Sequence, residues 1–168
     1  MHRYVRYTVT PDGHRKMIDI WSREISFDTQ NGRKLLHIHQ QWDEISPSAV
    51  LIQDSLFEPD TLRPLTHVKS LTREGKNTVG GYHFLPAKIV GMDDLRNNSR
   101  KDFVQLSKEP AYNWETDMEM LQSLPLAQGY AANINFYDPA GIHPRDMSTA
   151  SPAPRRSGAL MIAISTAG

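Results

Sequence analysis

The sequence predicts an all-β domain, an antiparallel meander interrupted by a single short helix. Three observations carry that prediction. Turn signals recur at short intervals: PDG at 11–13, QNGR at 30–33, SPS at 46–48, EPD at 58–60 and REGKN at 73–77. The runs between them are rich in β-branched and aromatic residues, as strands are. Short turns between successive strands favour neighbour-to-neighbour antiparallel pairing.

The elements follow in order. YVRYTV (4–9) reads as the first strand, and MIDIWSREISF (17–27) as the second. In the second, Ile18, Ile20, Ser22 and Glu24 fall on one face and Met17, Asp19, Trp21, Arg23 and Ile25 on the other. The alternation is imperfect, which predicts a twisted sheet with at least one bulge. KLLHIHQQW (34–42), AVLIQDSLF (49–57), PLTHVKSLT (64–72) and TVGGYHFL (78–85) continue the series. The Gly80–Gly81 pair inside a strand pattern marks a bulge or a close approach, not a phosphate loop, because no helix follows it. The helix is predicted near 116–124. Thr116 and Glu119 have capping-box spacing, Asp117 and Glu119 complement the positive helix end, and Pro125 stops it. Met118, Met120, Leu121 and Leu124 supply an apolar face, and YAANINFYD (130–138) reads as another strand. Residues 1–139 thus form one β-rich domain. Residues 140–168, rich in Ser, Ala, Pro and Arg without periodicity, read as a disordered tail.

Bulk properties narrow the function classes. The 168 residues carry 19 basic and 19 acidic side chains, so the chain as a whole offers no basic field for nucleic acid or an anionic membrane surface. No apolar run is long enough for a transmembrane helix, and MHRYVRYTVTPDG contains no secretory apolar segment, so the chain as written reads as cytoplasmic. With no cysteine, disulfides and thiolate metal sites are ruled out.

One stretch has metal-site spacing. In LHIHQQWDE, His37 and His39 lie two apart on a strand and project to one face, and Glu44 follows. This H-x-H-x4-E resembles part of the first metal motif of cupins, which would imply a metal-dependent enzyme using His37, His39 and Glu44. The pattern departs from that motif: Asn31 and Leu51 stand where its glycines belong, and no second motif follows. The competing reading is a strand with Leu36 and Ile38 on its dry face and a wet opposite face. Short motifs of this kind recur by chance, and the strand reading is preferred. Glu115, Asp117 and Glu119 could supply a carboxylate pair, but helix capping accounts for them. Asp93 and Asp94 lie in a polar turn, and Ser55 and Ser99 lack a nucleophile-elbow context. Trp21, Trp42 and Trp114 read as core or cavity lining. No residue is assigned a catalytic role and no cofactor is expected.

A longer similarity points elsewhere. DSLFEPDTLRPLTHVKSLTREGKN, GYHF, NWETDMEMLQSLPLAQGY and NINFYDP together resemble an uncharacterised family of bacterial envelope proteins built on a domain of unknown function. That family's fold is similar to the half-barrels of lipoprotein carriers. The resemblance implies a curved antiparallel sheet about a cavity, with the helix across an open edge. It implies a periplasmic or envelope location and a non-enzymatic role, with an apolar small molecule or lipid as the ligand. It carries over no site residues. An exposed sheet edge that adds a partner's strand is the remaining alternative.

Family members begin with a signal peptide and continue past the FYDP strand through V-x-G-x-E and D-C-W patterns, so this chain reads as truncated at both ends. Written in permitted codons, residues 147–168 yield VYRVTGAEAIRRPDDRDIDCW in another frame. The expectation is a chain shifted out of frame just after Pro139, with strands missing from the sheet.

Overall fold

The computed structural model describes residues 1–45, 48–125, 131–137 and 158–163. Eight strands form one sheet whose spatial order is the sequence order. They are β1 (His2–Val9), β2 (Arg15–Gln30), β3 (Arg33–Ile45), β4 (Ser48–Phe57), β5 (Pro64–Arg73), β6 (Lys76–Leu85), β7 (Lys88–Gly91) and β8 (Val104–Leu106). Every neighbouring pair is antiparallel, so the predicted meander is the observed fold. The sheet is not closed, and β1 and β8 are its edges. A second, three-stranded sheet holds β9 (Tyr112–Asn113), β10 (Ala131–Tyr137) and β11 (Gly158–Ala163) in the order β11-β10-β9.

Turn chemistry fixes the register. Asn31 and Gly32, at φ 51° and 75°, join β2 to β3, and Glu74 and Gly75, at φ 51° and 73°, join β5 to β6. Two consecutive left-handed residues give the hairpin turn whose twist matches the strands it joins. Register shifts between Arg6 and Tyr7 and between Leu56 and Phe57 are the expected irregularities. The glycine pair at 80–81 is a close approach and not a bulge. Register runs unbroken through it, and a Cβ on Gly81 would lie 2.4 Å from Leu95 Cδ2.

Alternation divides the sheet into two faces. The inner face carries Leu36, Ile38 and Phe57 as one apolar cluster, with Leu62 against it. A second cluster of Tyr82, Phe84 and Ile89 packs with Phe103, Ala111 and Tyr137. Phe57 and Ile38 are fully buried, and each such side chain contributes roughly 1.5–3 kcal/mol. From the second sheet, Tyr137 meets Phe84 and Phe103, while Phe136 meets Trp114 with ring centroids 5.3 Å apart. The segment following β7 closes the exposed part of β6. The Asn98 side chain accepts from Gly81 N and donates to Gly81 O, both at 3.0 Å, as a neighbouring strand would.

Helical structure begins earlier than the capping box implies. A 3-10 turn spans Trp114–Thr116 and leads into α1 (Asp117–Ser123). The cap is Asn113, whose side chain accepts from Glu115 N at 3.1 Å. The Thr116 hydroxyl instead donates to Asn113 O, and Glu119 is drawn away to Arg23 by a charge-assisted pair. Nor does the predicted apolar face form core, since α1 has no buried residue. Within the stretch read as a tail, Gly158–Ala163 is strand, paired antiparallel with β10. The rest of that stretch, and the expected frame change after Pro139, lie outside the described residues.

Candidate functional site

The register of β1 to β5 aligns inner-face residues into rows that cross the strands. In the first row, Arg6, Asp19, Glu44, Ala49 and Arg73 are successive partners. It is held by ion pairs: Arg6 Nε donates to Asp19 Oδ1 at 2.7 Å, and Arg73 Nη2 donates to Glu44 Oε2 at 2.8 Å. The hydrogen-bonded Asp19 carboxylate raises the Arg6 pKa above its ordinary value.

The second row is apolar. Tyr4, Trp21, Trp42, Leu51 and Leu71 are partners in turn across five strands. The Tyr4 and Trp21 rings lie 4.8 Å apart, and the two indoles stack at 5.8 Å with planes 3° apart. Trp21, Trp42, Leu51 and Leu71 are half-buried, and Tyr4 is 38% exposed. The row therefore presents a connected apolar surface without being buried as core.

The third row is polar and mostly sealed. Arg23, Gln40, Gln53 and Lys69 follow one another across β2 to β5, and the first three are buried. Gln40 accepts from Trp21 Nε1 at 3.0 Å, which turns its amide nitrogen toward Glu115 Oε2. The Gln53 amide faces the same carboxylate, and hydrogen bonding to two acceptors assigns its nitrogen to that side, 2.7 Å from Oε1 and 3.1 Å from Oε2. Arg23 grips Glu119 with both terminal nitrogens, at 2.8 and 2.9 Å, and donates to the Glu115 carbonyl at 2.8 Å. The turn and helix between Asn113 and Ser123 are thus docked on the sheet through polar contacts.

Beside this seam Ser55 and His67 form a pair, with Ser55 Oγ 2.8 Å from His67 Nδ1. Burial pushes His67 down to about 3, so its imidazole is neutral. With Ser55 1% and His67 0% exposed, the pair is sealed from any substrate and forms part of the seam.

The proposed metal ligands are separated by strand alternation. His37 and His39 lie on the outer face, where His37 Nε2 and His39 Nδ1 approach Asp54 Oδ1 at 2.9 and 2.7 Å. Glu44 is five residues beyond His39, on the inner face, bound to Arg73. Among the described residues, no group of three or more His, Asp or Glu side chains is arranged to hold a metal ion. Asp94 Oδ1 stands 3.7 Å from His83 Nε2, and Asp117 bonds its own helix at Met118 N. An open cleft of about 630 Å³ lies by the β2–β3 turn, lined by Phe27, Arg33, Lys34, Glu58, Pro59, Asp60 and Thr61. Its charges are largely satisfied internally, since Arg33 and Arg63 both bind Glu58 and Lys34 Nζ sits 3.9 Å from the centre of the Phe27 ring.

Of the aligned residues, sequence reasoning picked out the tryptophans but not Arg23, Gln40 and Gln53. The available signal was their spacing: Arg23 and Gln40 lie two residues from Trp21 and Trp42 and share their face. Among the described residues, no helix is long and apolar enough to cross a membrane. A family described as "Protein of unknown function (DUF3108)" matches residues 5–148. No curated protein and no solved structure matches the chain.

Proposed function

This chain belongs to the DUF3108 family, and we propose that it is a non-enzymatic ligand-binding protein of the bacterial envelope that holds an apolar or amphiphilic molecule. The observation that supports this reading is the row Tyr4–Trp21–Trp42–Leu51–Leu71, only half-buried between two polar rows. Soluble proteins bury connected aromatic and aliphatic surface, and a strip left accessible marks a contact with something apolar. A half-barrel curvature would wrap that strip around the ligand. The envelope location rests on the family resemblance alone.

The test is titration of the full chain with N-phenyl-1-naphthylamine, an uncharged apolar fluorophore. Binding with enhanced probe emission is expected, weakened at least tenfold in Trp42→Ala because the middle of the row is removed. Absence of binding, or equal binding by the variant, would sink the reading.

A second reading has its own support. All eight residues of β1 are exposed, and one edge of β1 pairs with no other strand among the described residues. Such an edge suits addition of a partner's strand.

A further inference from the structure

The contacts of Glu115 are those a receptor makes to a ligand carboxylate. Two side-chain amides on adjacent strands, Gln40 and Gln53, converge on its two oxygens. The Arg23 guanidinium lies alongside, 5% exposed, bound to the Glu115 carbonyl and the Glu119 carboxylate. The strands supply the donors, and a separate segment supplies the anions.

That segment is held in a way that permits release. α1 buries no side chain, and within the preceding turn only Glu115 and Thr116 are buried. Lifting α1 together with the Glu115 side chain, with Asn113 and Trp114 left in place, would uncover amide and guanidinium groups that water solvates readily, so little hydrophobic stabilisation is lost. Desolvation makes a buried ion pair a weak source of net stability, although its geometry is specific.

The cradle also has an apolar neighbour. Gln40 lies two residues from Trp42 on the same strand face, about 7 Å away at strand rise, and Gln53 stands likewise to Leu51. The Trp21 N–H bond to Gln40 ties the two rows together. Across five strands the apolar row extends about 19 Å at the usual inter-strand spacing.

We propose that the Arg23–Gln40–Gln53 cradle is the head-group site for a long-chain monocarboxylate. The ligand's carboxylate displaces that of Glu115, and its chain lies along Tyr4, Trp21, Trp42, Leu51 and Leu71. This rests on the reading of that row as the ligand platform and adds to it the class of head group. Glu115 acts as an internal competitor that fills the cradle while no ligand is bound.

The experiment is calorimetric titration of the full chain with dodecanoate and with dodecan-1-ol, each below its aggregation concentration. The ratio of the two dissociation constants is compared among wild type, Glu115→Ala and Gln53→Leu. Vacating the cradle in Glu115→Ala should shift the ratio at least tenfold toward the acid with little change for the alcohol. Removing a donor in Gln53→Leu should shift it the other way. If both ligands bind and the ratio is the same in all three proteins, the platform stands and the head-group site is overturned. If neither ligand binds wild type or Glu115→Ala, the platform reading falls and this one with it. Should Glu115→Ala fail to fold, as judged by circular dichroism, Gln53→Leu against wild type decides by the same ratio.

Discussion

His67 shows how much one residue's burial sets. Its ring is fully enclosed, Nδ1 faces Ser55 Oγ, and Nε2 has no hydrogen-bond partner among the described residues. Desolvation is the main cause of its depressed pKa, with Lys69 adding to it and Asp54 opposing it. The sign of the pH effect follows. Between about 3 and the ordinary 6.5, the unfolded chain binds a proton that the native state excludes. The native state is therefore favoured above that window and progressively destabilised as pH falls through it. Urea unfolding between pH 7 and pH 4 should show stability declining by up to about 1.4 kcal/mol per pH unit from this residue. His67→Gln should lose that component of the slope, and an unchanged slope would show that His67 protonates freely in the folded protein. None of this was legible in the sequence. His67 lies in an ordinary strand pattern, and its enclosure depends on Asn113, 46 residues away.

At the scale of elements, the long strands were legible and the short ones were not. β2 to β6 each contain at least ten residues and end at turn signals, so alternation identifies them. β7, β8 and β9 have four, three and two residues, too few for a period to register. Their positions are set by tertiary contacts, and Gly91 is the clearest. A Cβ there would lie 1.7 Å from the Arg100 carbonyl oxygen, while Gly91 N donates to Phe103 O at 2.8 Å. Backbone meets backbone at that point, and neither side can swing away as a side chain would. Gly91→Ala should destabilise the fold by about 1–3 kcal/mol, the usual range for overpacking, measured by urea unfolding. A loss below half a kilocalorie would show that the 92–103 segment shifts without cost. The candidate site was legible in part for a related reason. Alternation assigns Arg23, Gln40 and the tryptophans to faces, but only the register aligns those faces into rows. The start of α1 after Thr116 was legible from the capping-box spacing, but its bonding was not, because spacing cannot anticipate the pull of Arg23, 96 positions from Glu119.

For the whole molecule, the open edge formed by β1 has consequences for association. Tyr4, Val5, Tyr7 and Val9 are all exposed, Val5 at 57% and Val9 at 59%. An exposed edge of this length templates pairing with another strand, and charge added to that of Arg3 and Arg6 discourages it. Sedimentation velocity across a concentration series should show self-association of the purified chain, reduced in Val5→Lys. A monodisperse monomer at every concentration would remove the strand-addition reading and leave the inner face as the functional surface. The meander also has a temporal side. Among the described residues, each of the first eight strands pairs with strands adjacent to it in the sequence, so the sheet can grow one hairpin at a time. The contact between Arg23 and Glu119 closes the longest loop of the seam. Loop-closure entropy therefore favours an order in which the sheet forms while Arg23, Gln40 and Gln53 are still hydrated. That order would leave the groups that Glu115 covers in the finished fold open to solvent until the turn at 114–116 docks.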